Sequence, residues 1–187
     1  MTRAVLDSCV LYSASLRDLF MRLAVGFVFQ PKWTMQIHEE WMRNVLKNRP
    51  DLTIQQLERT RVLMDQWGRD WHVYGYESLV TTLELPDVDD RHVLAAAIAS
   101  KTPIIVTFNL SDFPEVAISP HGIRALHPDS FLLELLQSSR EPFISAVKSH
   151  RTALKNPPRT PEEYLNQLTE NGLHATSKAL TPIVDQI

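Results

Sequence analysis

What this chain has little of narrows it first. It has five glycines in 187 residues, and none forms G-x-x-x-x-G-K-[ST] or G-x-G-x-x-G, which argues against a loop whose backbone N–H groups cradle phosphates. No G-x-S-x-G elbow is present for a serine hydrolase. The single cysteine, Cys9, excludes an intrachain disulfide and a zinc site built from several cysteines, and it suits a reducing cytosol. No apolar run approaches the length of a membrane span. The N-terminal apolar stretch, in "MTRAVLDSCVLYSASLRD", carries Asp7 inside it, which argues against a signal peptide. The expectation is a cytoplasmic protein with no membrane partner. There is no positive excess either: 19 Lys and Arg stand against 22 Asp and Glu, for a net charge of −3, so nucleic acid would have to be met by a local patch. No internal repeat or low-complexity block is visible.

What is present alternates between short apolar runs and helical periodicity. Ala4 to Leu6 reads as a buried strand ending near Asp7. "SASLRDLFMRLAVG" carries Leu16, Leu19, Phe20 and Leu23 at helical spacing, with Gly26 as its stop. "FVFQPKW" reads as a strand, and Thr34 as the N-cap of "MQIHEEWMRNVLKN", where Ile37, Trp41 and Val45 recur every four residues. Thr53 and Gln56 form a capping box ahead of a further helix. "WHVYGYE" has strand composition, weakened by Gly75. "DRHVLAAAIASK" predicts a helix, "IIVTF" and "GIRAL" strands, and "PDSFLLELLQSS" a helix with Pro128 near its first position. Strands alternating with helices imply βαβ crossovers and a mostly parallel sheet flanked by helices, in which sites gather at the carboxyl ends of strands. From about residue 136 only helices are expected, so residues 1–135 form an α/β domain and 136–187 an all-helical extension. The extension's "KSHRTALKNPPR" holds Lys148, Arg151, Lys155 and Arg159 with no acid among them, either a solvated face or a phosphate-contacting patch.

Among groups that could carry chemistry, "HEEWM" fails as a zinc-protease motif, because Met42 stands where H-E-x-x-H needs histidine. His92 has no partner at metal-ligand spacing and reads as an ordinary helix residue. Cys9 reads as a small buried hydrophobe. What remains is carboxylates: Asp7 at a strand end, Glu39 and Glu40 in one helix, Asp87, Asp89 and Asp90 before another, and Asp112 after "IIVTF". Helix capping accounts for part of the "PDVDD" cluster, with Asp89 the expected cap. Acids drawn from several strand ends repel one another unless a cation neutralises them, and oxygen ligation suits Mg²⁺ or Mn²⁺.

The segments "VLDSCVLY", "IHEEWMRNVL", "PDVDDRHVLAAAI" and "IIVTFNLSDFP" resemble, in this order, those of PIN domains, especially the VapC-like toxin branch. The resemblance covers roughly residues 3 to 135, and the helical tail is similar to the extension of a toxin subgroup. It implies a PIN-like, Rossmann-like sheet and a Mg²⁺- or Mn²⁺-dependent endoribonuclease, the toxin of a type II toxin–antitoxin pair, with RNA as substrate, a cognate antitoxin and a homodimer. By the same resemblance Asp7, Glu40, Asp90 and Asp112 are the catalytic and metal-binding acids. Helical spacing alone does not separate Glu39 from Glu40, since both flank the apolar stripe. Thr107, Asn109 and Asp87 are implied in support, with Asn109 standing where many members carry aspartate. Arg43, Lys47 and Arg49, with the tail's cations, are candidate phosphate contacts. Two alternatives stand beside this: a PIN-like RNA-processing or flap nuclease outside any toxin–antitoxin pair, and a non-catalytic binding module whose acids are caps and surface charges.

Overall fold

The computed structural model describes residues 1–68 and 70–187. Among them are four strands and eleven α-helices: β1 (Thr2–Leu6), α1 (Ser8–Tyr12), α2 (Ala14–Val25), β2 (Phe29–Lys32), α3 (Met35–Asn48), α4 (Ile54–Gln66), α5 (Glu77–Val80), α6 (Arg91–Ala99), β3 (Ile104–Val106), α7 (Glu115–Ile118), β4 (Arg124–Leu126), α8 (Pro128–Ser138), α9 (Arg140–Ala153), α10 (Pro161–Glu170) and α11 (His174–Leu180). The strands form one parallel sheet in the order β2-β1-β3-β4. This is the α/β, PIN-like arrangement, with helices around a parallel sheet and a helical C-terminal extension.

The expected starts and stops are present. Thr34 Oγ1 accepts from Ile37 N at 3.1 Å, and the Thr53–Gln56 capping box is complete. Gly26 ends α2, and Pro128 opens α8. Two expectations are corrected. "WHVYGYE" is not a strand: it meets the sheet through a single bridge, Trp33 to His72, with Val73 N donating to Trp33 O at 2.8 Å. Gly75 then takes a left-handed φ of 72°, which turns the chain away from extended geometry. Asp89 caps nothing. The residue ahead of α6 is Asp90, without a side-chain cap bond, and it is Asp87 Oδ1 that accepts from Asp89 N at 2.9 Å.

Two features of the core position the site. Ala95, Ala96 and Ala97 of α6 are fully buried, and α6 packs on β1 and β3; small side chains let it lie close to the sheet. Arg17 of α2 lies inside as well. Its guanidinium donates to Leu11 O at 2.5 Å and sits 4.4 Å from the Trp41 ring centre, locking α1, α2 and α3 together. Phe20, Phe29 and Phe131 pack edge and face across α2, β2 and α8, so α8 belongs to the main core. α8 runs unbroken across residue 135. α9 lies on α2 and α8, while α10 and α11 close against each other and α11 packs on α8. Among the described residues no helix is long and apolar enough to cross a membrane.

Candidate metal centre

The site starts from strand register. Leu6 pairs with Val106 across β1 and β3, so the residues that follow, Asp7 and Thr107, emerge side by side at the carboxyl edge of the sheet. Asp7 N donates to Val106 O at 3.1 Å. A five-residue helix, α1, begins directly after Asp7, and Asp7 is its N-cap: Oδ1 accepts from Ser8 N at 2.6 Å. Oδ2 accepts from Thr107 Oγ1 at 2.7 Å and from the Cys9 thiol at 3.2 Å. Asn109 N in turn donates to Thr107 Oγ1 at 3.0 Å. Asp7 is thus buried and held by three donors from two strand ends.

Cys9 is more than a small apolar filler. Burial, and then the negative charge of Asp7, push its thiol up to about 12, so it keeps its proton and donates to the carboxylate. Its sulfur also accepts from Phe108 N at 3.3 Å. The residue spacing D-x-C at a strand end was the available signal, but it carries no information about a partner a hundred residues away.

Asp90 stands at the start of α6, and its carboxyl is raised to about 7. Burial is the main cause, followed by the charges of Asp7, Asp87 and Asp112, with His92 opposing them. The fold therefore brings Asp7, Asp87 and Asp112 near enough for their charges to act on Asp90. Among the described residues none of the four is in a salt bridge with Lys, Arg or His. Asp112 closes the short turn Leu110–Asp112 after β3, and Asn109 is exposed at its start.

Glu40 is placed differently. Its Oε1 lies 2.9 Å from Nε2 of buried His92, at ion-pair distance though outside hydrogen-bond geometry, which ties α3 to α6 two residues beyond Asp90. Glu39 is exposed and, among the described residues, has no such tie. The structure therefore separates the two glutamates where helical spacing did not, and it gives His92 a partner that no sequence spacing announces.

A second cluster lies elsewhere. Ligand atoms of His38, Asp65 and His72 all fall within 4.8 Å of one another, a spacing the four acids do not reach. Its hydrogen bonds argue against an ion there. Trp41 Nε1, which can only donate, lies 2.9 Å from His38 Nδ1, so His38 carries its proton on Nε2 and points it at Asp65 Oδ1, 3.3 Å away. A protonated Nε2 has no lone pair for a metal. Asp65 also accepts from Trp33 Nε1 at 2.9 Å and from Arg61 at 2.9 Å. Burial pushes its carboxyl up, but the hydrogen bonds from His38 and Trp33 outweigh that and hold it down at about 2. The cluster is a satisfied structural network. The acids at the sheet edge have the opposite character: oxygen donors, mutual repulsion and no paired cation, the chemistry that fits a hard divalent ion.

With this geometry in place the comparisons fall into line. The family model for the PIN domain matches residues 3–111, more than half of the chain, and the model for the VapC50 C-terminal domain matches residues 128–182. The chain belongs to the PIN domain family, and it is VapC-like. A Mycobacterium tuberculosis protein named "Putative ribonuclease VapC50" is 39% identical over 106 residues, covering 57% of this chain. The aligned region spans 62% of that protein's length. No solved structure matches.

Proposed function

We propose that this chain is a metal-dependent endoribonuclease acting as the toxin of a type II toxin–antitoxin pair. The observation that carries the reading is the convergence of Asp7, Asp90 and Asp112 at the carboxyl edge of β1 and β3, with no paired cation among the described residues. The name of the mycobacterial relative supports the ribonuclease class. Asp7, Glu40, Asp90 and Asp112 would hold Mg²⁺ or Mn²⁺. Such an ion supplies an acidified water and a positive charge against the scissile phosphate. The chain's own part is positioning. Thr107, Cys9 and the Ser8 N–H fix the Asp7 carboxylate and leave one lone pair free, on Oδ1. His92 stands beside Glu40, and Asn109 adds a neutral amide where a fifth acid would add repulsion.

RNA cannot be drawn in by the acids themselves. Exposed Arg43 and Lys47, one and two turns beyond Glu40 on α3, are the nearest cations on that element, while Arg49 is partly engaged by Asp51 at 2.6 Å. Lys148 and Lys155 of the extension are exposed as well. A cognate antitoxin, a homodimer and a cytoplasmic location belong to the same proposal. The test is cleavage of a mixed-sequence RNA with Mg²⁺ or Mn²⁺ by Asp7→Asn and Asp112→Asn variants. A loss on the order of 10²-fold is expected for each; cleavage at the parent rate in both would refute the assignment.

A further inference from the structure

We infer that the C-terminal helices set the position of Asp7 through Phe108, making the extension a working part of the metal centre. This rests on the reading of Asp7 as a metal ligand. The path can be followed atom by atom from the tail inward. The first turn of α11 leaves backbone donors free, and the Asp129 carboxylate takes them: Ala175 N and Thr176 N each donate at 2.8 Å, and Thr176 Oγ1 donates at 2.6 Å. Asp129 N donates to His127 Nδ1 at 3.2 Å. The His127 ring stands edge-on to Phe108, with centres 5.0 Å apart. Phe108 N donates to Cys9 Sγ, and Cys9 donates to Asp7 Oδ2.

The turn between α10 and α11 also comes near this ring. Gly172, in the turn between α10 and α11, takes φ 81°, and a Cβ built there would lie 3.6 Å from Phe108 Cε1. Phe108 therefore sits between the extension on one side and the loop that carries Thr107, Asn109 and Asp112 on the other. A further link ties the extension to the other strand's helices: Gln167 Nε2 donates to Ser15 Oγ at 3.3 Å, at the start of α2. Phe108, His127 and Asp129 are positioning residues, since none of them offers a ligand to the acids.

The test uses the full chain and Mn²⁺ titration of the folded protein, well below its unfolding midpoint. Phe108→Ala and Asp129→Ala should each weaken Mn²⁺ binding by about 10-fold, within the range for residues that orient metal ligands. Phe108→Leu, which keeps apolar bulk against Gly172 and His127, should restore most of the affinity. Tyr164→Phe removes a 2.7 Å hydrogen bond with His150 inside the extension but off this path, and should lower the midpoint without changing Mn²⁺ affinity. Should Phe108→Ala unfold the chain, Asp129→Asn replaces it, since it weakens the α11 cap without opening a cavity. If Asp7→Asn loses Mn²⁺ while Phe108→Ala and Asp129→Ala, or Asp129→Asn in place of an unfolded Phe108→Ala, bind it like the parent, the inference is overturned and the site stands. If Asp7→Asn itself binds Mn²⁺ like the parent, the reading of the site falls first.

Discussion

At the scale of single residues, the site is a balance between repulsion and fixed orientation. Asp90 illustrates the first. Its folded carboxyl is raised from 3.8 to about 7, so the folded protein holds this proton more tightly than the unfolded chain does. The stabilisation that follows is complete below the ordinary value and is lost as pH rises through about 7. In metal-free protein, Asp90→Asn should therefore match the parent in acid and exceed it in melting temperature at pH 8, by roughly 2–4 °C per kcal/mol of relieved repulsion. A parent that melts no lower than Asp90→Asn at pH 8 would show that the acids do not strain one another. Thr107 illustrates orientation. Thr107→Val keeps the shape and removes the donor to Asp7 Oδ2, and a 10- to 100-fold loss of Mn²⁺ affinity is the expected cost on the order seen for such partners. Asp7, the Asp87 to Asp90 cluster and Asp112 stand out in the sequence because each follows or precedes a recognisable element, whereas the choice of Asp90 and the part of Thr107 rest on the family resemblance. Sequence reading misses the donor role of Cys9 and the Glu40–His92 contact, because both depend on pairings across long stretches of chain.

Among elements, what was legible depended on local signals. β1 to β4, α2, α3, α4, α6 and α8 to α11 all carry a periodic pattern, a cap or a bounding proline or glycine in the sequence. α1 carries none: it is five residues in an apolar run, started by an aspartate whose sequence context marks a strand end. Both roles are real, since the strand ends at Leu6 and Asp7 caps the helix that follows. "WHVYGYE" misled in the other direction. Its aromatic content serves burial, with Trp71, Val73 and Tyr76 in the interior, rather than pairing. The α3 helix offers the sharpest element-level test, because its two glutamates are adjacent in sequence and differ only in the face they take. Glu40→Gln should lower RNA cleavage by about 10-fold or more while Glu39→Gln stays near the parent rate. Equal losses would mean that the His92 contact does not select between them.

Taken as a whole molecule, the chain keeps two groups of titratable side chains apart and uses them differently. His38, Asp65 and His72 are drawn together by hydrogen bonds that fix a histidine proton where a metal would need a lone pair. Asp7, Asp90 and Asp112 are drawn together by the fold alone, through the β1–β3 register, the start of α6 and the turn after β3. The first group is compact and satisfied; the second is looser, charged and without a paired cation among the described residues. The extension is continuous with this design, since α8 lies in the main core and α11 is capped from it. Mn²⁺ titration of the metal-free protein and of two variants, Asp90→Asn and His72→Ala, distinguishes the two groups most directly. The expected result is that Asp90→Asn loses most of the Mn²⁺ affinity and that His72→Ala keeps it. The reverse pattern, with affinity lost in His72→Ala and retained in Asp90→Asn, would contradict the assignment of the metal centre.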